Sequence, residues 1–364
     1  MRCGIIGLPN VGKSTIFNAM TASSVPAENY PFCTIDPHLG IVNLPDSRLN
    51  RLKEIFKPEK VTPATVEFID IAGLVRGASK GEGLGNRFLG QIRQVEALVH
   101  VVRCFKDKNI THVDGSIDSV RDAETIETEL LLADIETIEK RLFHIEKLVR
   151  AGDKKTKKEA EFLSKLNEHC SAGRRARTVQ KNEEETKILR GLHLLTAKPI
   201  LYIANVSETE ISSNKRSPLV QSLFDFSKKE GNDSIRICGQ IEQEISTIPT
   251  EEKHEFLKEY GLSEPGLNKI IRSSFNLLGL QTYFTGGPKE VRAWTIRKGL
   301  TAPEAAGVIH SDFQRGFIKA EVYKYSDLNS LGSEKAVRDR GLSKMEGKDY
   351  VVNEGDCIYF RFNV

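Results

Sequence analysis

Hydrophobic positions change their spacing three times along this 364-residue chain. Up to about residue 125, short apolar runs such as 2–6 and 97–102 alternate with helix-like segments. That alternation predicts a parallel sheet with helices on both faces. From residue 125 to 149, Ile, Leu and Ala recur every three or four positions, which predicts an amphipathic helix. Further helical patterns at about 155–172 and 183–195 extend this to a helical hairpin, with a coiled coil as one possible form.

The strand pattern resumes at 199–204 and again at 234–240, so the first sheet is expected to continue after the helical insertion. Beyond about residue 280, short alternating strands, including 317–322, 350–352 and 357–362, surround one helix. Thr301 caps that helix and Glu304 completes a capping box. This arrangement is typical of a β-grasp fold. We therefore predict an α/β fold in three parts, whose bounds are 1–125 with 198–279 for the nucleotide-binding sheet domain, 126–197 for the helical insertion and 280–364 for the β-grasp domain.

A glycine-containing loop follows the first predicted strand. Residues 7–14 read Gly-Leu-Pro-Asn-Val-Gly-Lys-Ser and fit the phosphate-loop pattern G-x-x-x-x-G-K-[ST], with a predicted helix after them. Such a loop directs main-chain N–H groups at phosphate, and the helix dipole adds positive potential there. We expect Lys13 to reach the β- and γ-phosphates and the Ser14 hydroxyl to ligate Mg²⁺.

A second motif, D-x-x-G, ends the next apolar run at Asp70. Asp70 is expected to hold Mg²⁺, usually through water, and the N–H of Gly73 to sense the γ-phosphate. Between the two motifs, Thr34 lies in a Pro-bounded loop that is expected to supply a second Mg²⁺ ligand and close over the γ-phosphate. Taken alone, D-x-x-G is a weak signal and the Thr34 segment is better explained as an ordinary loop. Their place after the phosphate loop favours the metal site instead.

Base recognition is expected at residues 205–208, which read Asn-Val-Ser-Glu where guanine-specific relatives carry N-K-x-D. The Asp of that pattern accepts hydrogen bonds from guanine N1–H and the exocyclic amine. Glu208 is longer and does not fit the same geometry, and Val206 stands in place of the Lys. The inference is loss of guanine specificity, with ATP read by main-chain groups and apolar contact near Val206. A strand-end turn without any ligand is the alternative.

Several motifs together resemble the YchF group of Obg-related phosphate-loop proteins, whose eukaryotic members are called Obg-like ATPases. They are residues 7–15, residues 29–35 (Asn-Tyr-Pro-Phe-Cys-Thr-Ile), the glycine-rich run 70–86, and 205–208 with its departure from N-K-x-D. The resemblance covers essentially the whole chain and includes a C-terminal part similar to a TGS domain. It implies a Ras-like G domain, a preference for ATP over GTP, binding to the ribosome, notably the large subunit, and a link to translation and stress responses.

The resemblance also assigns site residues by position. The implied nucleotide contacts are Asn10, Val11, Gly12, Lys13, Ser14, Thr15, Asn205, Val206 and Glu208, and the implied metal set is Ser14, Thr34 and Asp70. Leu74 follows D-x-x-G where Ras-like proteins have a water-orienting Gln. Hydrolysis is therefore expected to be slow unless another group, a partner or a monovalent cation such as K⁺ substitutes.

His112 is one candidate substitute, because an imidazole can orient an attacking water near neutral pH. It stands in a polar loop after the strand 97–102, and a surface histidine without a catalytic role is the alternative. With it, the expected catalytic set is Lys13, Gly73 and His112.

Charge is unevenly distributed, although the formal net charge is only +3. Residues 140–190 contain 15 Lys or Arg and 8 Asp or Glu, including Lys-rich 154–158 and Arg-rich 174–177. This density suits the phosphates of ribosomal RNA, and a solvated basic hairpin is the alternative. No DNA specificity is evident.

Composition is that of an ordinary globular chain large enough for two or three domains. No apolar run approaches the roughly 18 residues of a membrane span, and the start of the chain does not read as a signal peptide. The six scattered cysteines are expected to be reduced thiols, so we expect a cytoplasmic protein without a membrane partner.

The sequence thus predicts an ATPase that uses Mg²⁺ and binds ribosomes. Two alternatives stay open. One is a GTP-specific or dual-specificity ribosome-associated GTPase. The other is a non-catalytic, nucleotide-gated protein that binds RNA or ribosomes.

Overall fold

The computed structural model describes residues 1–22, 38–71, 84–107, 109–113, 115–213, 215–249 and 251–363. The chain divides into two compact units, of which the first comprises Met1–Ile41 with Glu67–Ile270. The second comprises Val42–Val66 with Ile271–Val364. The segment Val42–Val66 falls within the stretch 1–125 that the sequence analysis assigns to the nucleotide-binding domain.

The strands, in chain order, are β1 Arg2–Ile6, β2 Leu39–Asn43, β3 Lys60–Thr62, β4 Thr65–Asp70, β5 Ala97–Arg103, β6 Ile200–Asn205, β7 Asp233–Ile237, β8 Leu280–Thr285, β9 Glu290–Arg297, β10 Phe317–Lys324, β11 Lys344–Glu346 and β12 Asp356–Phe362. The helices are α1 Lys13–Ala22, α2 Ser47–Phe56, α3 Leu84–Arg93, α4 Ser119–Arg150, α5 Lys154–Ser171, α6 Glu183–Leu192, α7 Glu208–Ile211, α8 Pro218–Lys229, α9 Gly239–Thr247, α10 Lys253–Glu259, α11 Gly266–Leu277, α12 Ala302–Ile309, α13 Ser311–Arg315, α14 Tyr325–Leu331 and α15 Glu334–Asp339.

The first sheet has the strand order β2-β4-β1-β5-β6-β7. Strands β4, β1, β5, β6 and β7 run parallel to one another, and every residue of β5 and β6 is buried. This confirms the predicted α/β fold, because continuous apolar strands belong to a parallel sheet covered on both faces. The carboxyl ends of β1, β4, β5, β6 and β7 meet at one edge, where ligands bind in open α/β sheets.

The helical insertion is a hairpin of α4 and α5, with α6 packed beside it. Helix α4 begins six residues earlier than predicted, because the Asp118 carboxylate accepts hydrogen bonds from the N–H groups of Val120 and Arg121 at 3.1 and 3.0 Å. Its apolar stripe packs against one side of α5 in a buried cluster that includes Leu131, Ile138, Ile145, Phe162, Leu163 and Leu166. Burial of this stripe stabilises the pair.

A buried ionic network lies at the base of the hairpin and uses part of the basic run 174–177. The carboxylate of Glu127 accepts hydrogen bonds from Arg177 at 3.0 Å, Arg175 at 3.2 Å and the Tyr202 hydroxyl at 3.1 Å, and Glu230 pairs with both arginines. Burial opposes ionisation of Glu127, but the two arginines outweigh it and hold its pKa below the usual value. The expectation that Arg175 and Arg177 face RNA is therefore wrong, since both serve the internal packing.

The second sheet has the strand order β11-β10-β12-β8-β9-β3. Strand β3 pairs with β9 in parallel, while β8 with β9 and β10 with both β11 and β12 are antiparallel. Helix α12 begins after Thr301 as predicted, and the Glu304 carboxylate accepts from the Thr301 N–H at 2.7 Å. The predicted strand at 350–352 is wrong, because Val351 forms only a single bridge with Thr301. The β-grasp classification stays a prediction.

Among the helices of the described residues, none has the length and apolar character required to cross a lipid bilayer. The described cysteines are all free thiols and all buried, namely Cys3, Cys104, Cys170, Cys238 and Cys357.

Candidate nucleotide-binding site

The phosphate loop connects β1 to α1 and holds two residues in the left-handed region, Asn10 at φ 60° and Gly12 at φ 88°. A Cβ at Gly12 would collide with the Asn205 amide, and one at Gly7 would lie 2.7 Å from the Val101 carbonyl oxygen. Both glycines of the motif are therefore required, by backbone angle at one and by close approach at the other. Helix α1 then begins at Lys13, so its N-terminal N–H groups face the loop.

Lys13, Ser14 and Asp70 meet where β1 and β4 end. The buried Lys13 ammonium pairs with one oxygen of the Asp70 carboxylate, and the Ser14 hydroxyl donates to the other at 3.5 Å. Hydroxyl and carboxylate oxygens are the hard ligands that Mg²⁺ accepts. The side chains of Ser14 and Asp70 therefore fit a magnesium site, and Lys13 provides a cation beside it.

A cavity of about 980 Å³ opens above these residues, a size that suits a small-molecule ligand. Its lining comes from the phosphate loop, the β5 loop, the β6 end and the β7 end: Leu8, Pro9, Asn10, Gly12, Lys13, Ser14, Thr15, His38, Asp70, Phe105, Lys106, Asp107, Ile110, Asn205, Val206, Ser207, Glu208, Thr209, Cys238, Gly239 and Gln240. All predicted nucleotide contacts except Val11 are in this set.

Asn205 joins three segments of the site. Its Nδ2 donates to the Val11 carbonyl at 2.8 Å, and its Oδ1 accepts from the Gly239 N–H at 2.9 Å. The side chain is buried and committed to these loops, so it positions the cavity wall. Val206 beside it is also buried, and its N–H donates to the Ile237 carbonyl at 2.8 Å. Its apolar side chain is part of the cavity wall.

Arg103, at the end of β5, is a site residue that the sequence analysis missed. Its buried guanidinium donates to the carbonyls of Phe105, Asp107 and Ile110 at 3.2, 3.2 and 3.1 Å and lies 4.8 Å from the Phe105 ring centroid. One side chain thus shapes the loop that forms a wall of the cavity. The signal in the sequence is an arginine directly after the strand run 97–102, in which five of the six residues are apolar.

Comparisons with known proteins agree with this geometry. The chain is 53% identical over 364 residues, and over the full length of both proteins, to the "Ribosome-binding ATPase YchF" of Bacillus subtilis (strain 168). The chain belongs to the YchF family. The protein of the same name from Haemophilus influenzae is 49% identical to this YchF-family chain over 363 residues, covering 100% of the chain and 99% of the relative.

Two family profiles and one solved structure extend the YchF match. A profile described as "50S ribosome-binding GTPase" matches residues 2–135, and the YchF-GTPase_C profile, described as "Protein of unknown function (DUF933)", matches residues 280–363. The structure titled "Structure of the Schizosaccharomyces pombe YchF GTPase" is 39% identical, with a TM-score of 0.90 over 99% of this chain and 97% of that one. The YchF fold therefore extends over nearly the whole chain.

His112 of this YchF-family chain is buried, with its Nε2 2.8 Å from Asp122 Oδ2 at the start of α4. It is not among the residues that line the cavity. The preceding carbonyl of Thr111 accepts a hydrogen bond from Asn10 Nδ2 at 3.3 Å, which connects this loop to the phosphate loop. The ring is thus oriented by a carboxylate beside the site, and its catalytic role stays a prediction.

Two predicted site residues of the YchF motifs, Thr34 and Gly73, lie outside the described residues, as do Cys33 and Leu74. Their expected roles as metal ligand and γ-phosphate sensor therefore stay predictions.

Proposed function

We propose that the chain is an ATPase that uses Mg²⁺, prefers ATP over GTP and acts on the ribosome. The observation that carries the proposal is the meeting of Lys13, Ser14 and Asp70 in a cavity that Asn205–Glu208 also line. In this proposal the first three residues bind the triphosphate, and residues 205–208, which depart from N-K-x-D, do not select guanine. The names of the relatives support the same activity.

Base preference is argued from the cavity wall. Val206 contributes apolar surface, and Glu208 lines the cavity at the first turn of α7. A carboxylate one methylene longer than Asp does not reproduce the paired acceptor geometry that guanine requires. Adenine has no N1–H and therefore does not require a carboxylate acceptor at this place. We expect it to contact the apolar wall and the main chain instead.

The chemistry is attack of water on the γ-phosphate in line with the leaving group. The bond from the water oxygen to phosphorus forms, the bond from phosphorus to the β-phosphate oxygen breaks, and the proton of the water is released. Lys13 exchanges its Asp70 partner for phosphate oxygens, and the N–H groups of the phosphate loop hold the charge. Mg²⁺ would supply further charge neutralisation, with Ser14 and Thr34 as its proposed protein ligands and Asp70 holding it through water. His112 and K⁺ are the proposed substitutes for the absent water-orienting Gln.

The proposed partners are the large ribosomal subunit and its rRNA, in the cytoplasm, with a role in translation or stress regulation. The relatives are named as ribosome-binding, and one matching profile is described as 50S ribosome-binding. In this proposal residues 1–125 and 198–279 bind nucleotide, while 126–197 and the TGS-like 280–364 serve the ribosome.

Equilibrium binding of fluorescent ATP and GTP analogues with Mg²⁺ tests the proposal. We expect clear ATP preference, and loss of binding in Lys13→Ala but not in Lys187→Ala, which removes an exposed lysine of α6. Equal or tighter GTP binding would return the chain to the GTPase alternative. Retained ATP binding without turnover, with or without large subunits, would favour the nucleotide-gated binding protein.

A further inference from the structure

One end of the α4–α5 hairpin carries a dense positive charge. Residues 140–158, defined as the hairpin end, contain eight Lys or Arg against two Asp or Glu. Lys154, Lys155, Lys157 and Lys158, in the first turn and a half of α5, are all exposed. Arg175 and Arg177 pair with Glu127 inside the protein. The surface charge of the basic stretch 140–190 is therefore concentrated at this end.

Phe143 lies within this charge and faces solvent, with 74% of its surface exposed. The residues beside it in sequence, Leu142 and Ile145, join the buried cluster of the hairpin, so the phenyl ring is placed on the outer side of α4. Lys140 and Lys147 are three and four residues away and therefore neighbour it on the same face, together with Glu139 and Glu146 at the same spacings, and Arg150 lies one turn further. The buried cluster does not include this ring, which lies exposed at the basic end of the hairpin.

The cations on this face are available for exchange. Lys140 pairs with Glu136 and Arg150 with Glu146, and all four side chains are about half exposed or more. Such surface pairs contribute little to stability, so phosphate groups can replace the carboxylates at small cost.

We propose that the hairpin end binds single-stranded RNA, with Phe143 as the platform on which a base stacks and the surrounding lysines as phosphate contacts. This rests on the proposed ribosome function and names the surface and the chemistry that would serve it. Charge complementarity selects RNA, and an aromatic ring in a basic face is the combination by which proteins hold unpaired bases. The bound strand is expected to be an exposed loop of rRNA.

The test uses the full chain and two probes: a fluorescein-labelled 20-nucleotide oligouridylate and purified large ribosomal subunits. Phe143→Ala is compared with Leu132→Ala, which removes an apolar side chain, 48% exposed, from the same helix in an acidic stretch. We expect Phe143→Ala to weaken binding of both probes about tenfold, and Leu132→Ala to leave both unchanged. Unaltered thermal unfolding midpoints are expected for both variants, since both side chains are exposed.

Salt dependence separates phosphate contacts from stacking. Replacing Lys154, Lys155, Lys157 and Lys158 by Gln should reduce the slope of log K against log salt by up to about 3, at roughly 0.7 per contact. Phe143→Ala should leave that slope unchanged.

Three outcomes would overturn the inference. Equal affinities of Phe143→Ala and Leu132→Ala for the subunit would show that this surface does not bind it, while ribosome binding itself would stand. Loss of subunit binding with unchanged oligouridylate binding would assign the surface to a ribosomal protein. Absence of oligouridylate binding by the wild type, with subunit binding retained, would exclude single-stranded RNA. Failure of the wild type to bind subunits would instead contradict the proposed function itself.

Discussion

Asn205 and Val11 are joined by a hydrogen bond of 2.8 Å from the Asn205 amide to the Val11 carbonyl, across 194 positions of sequence. The same amide group accepts from the Gly239 N–H. Asn205, the first residue of the segment expected to recognise the base, therefore holds the phosphate loop in position. Both polar atoms of this side chain are committed to the protein's own loops, so we expect its loss to affect every nucleotide alike.

Replacement of Asn205 by Ala is expected to weaken ATP and GTP analogues equally, by about tenfold, since buried main-chain groups lose their partners. The ratio of the two affinities should stay constant. Titration of fluorescent analogues measures both. A matched double variant, Val206→Lys with Glu208→Asp, restores N-K-x-D and should shift the ratio towards GTP. Selective loss of ATP in Asn205→Ala would show that the side chain reads the base.

The phosphate loop could be predicted because its residues are local. Gly7, Gly12 and Lys13 act through backbone angles and a helix terminus that neighbouring residues set, and the strand before them is a plain apolar run. The strand order and the length of α4 were less accessible. Helix α4 begins at a cap, Asp118, inside a polar stretch where periodicity carries no signal.

Roles that depend on distant partners could not be read from the chain. Arg175 and Arg177 look like surface charge until Glu127 and Glu230 are placed beside them. Phe143 falls outside the spacing of the apolar stripe of α4, and the exposure of its ring is seen in the structure. Arg103 donates to main-chain carbonyls, which every residue has, so no pattern of side chains in the sequence predicts its partners.

Arg103→Lys is expected to raise KM for ATP about tenfold while kcat changes little. Lysine keeps the charge but lacks the planar fork that reaches three carbonyls at once, so the loop carrying Phe105 loosens. Steady-state kinetics separate the two constants. Arg93→Lys, at an exposed position of α3, is the control. A fall in kcat alone would place Arg103 in the chemical step instead of in positioning.

His112→Ala is expected to lower kcat by about a hundredfold or more, with KM little changed, if the imidazole orients the attacking water as proposed. Asp122→Asn should lower kcat in the same direction, because Asp122 holds the ring. Single-turnover hydrolysis of ATP gives the chemical rate directly. His254→Ala, at an exposed position of α10, is the control. An unchanged rate in His112→Ala would leave the histidine a structural partner of Asp122.

His100, in β5, should make the protein sensitive to acid. Complete burial lowers its pKa to about 4, the carboxylate of Glu127 opposing and Arg177 assisting this shift, while in the unfolded chain the pKa is about 6.5. Between these values the unfolded state binds more protons. The contribution of the neutral His100 to stability is therefore fully present above about pH 6.5 and is lost as the pH falls towards 4.

Replacement of His100 by Phe should remove this sensitivity. Between pH 7 and pH 5 the free energy of unfolding of the wild type should fall by about 2 kcal/mol more than that of His100→Phe, by proton linkage. Urea titrations at both pH values measure the difference. Groups that do not interact with His100 titrate equally in the two proteins and cancel. Equal losses would mean that His100 takes up a proton in the folded state as readily as in the unfolded chain.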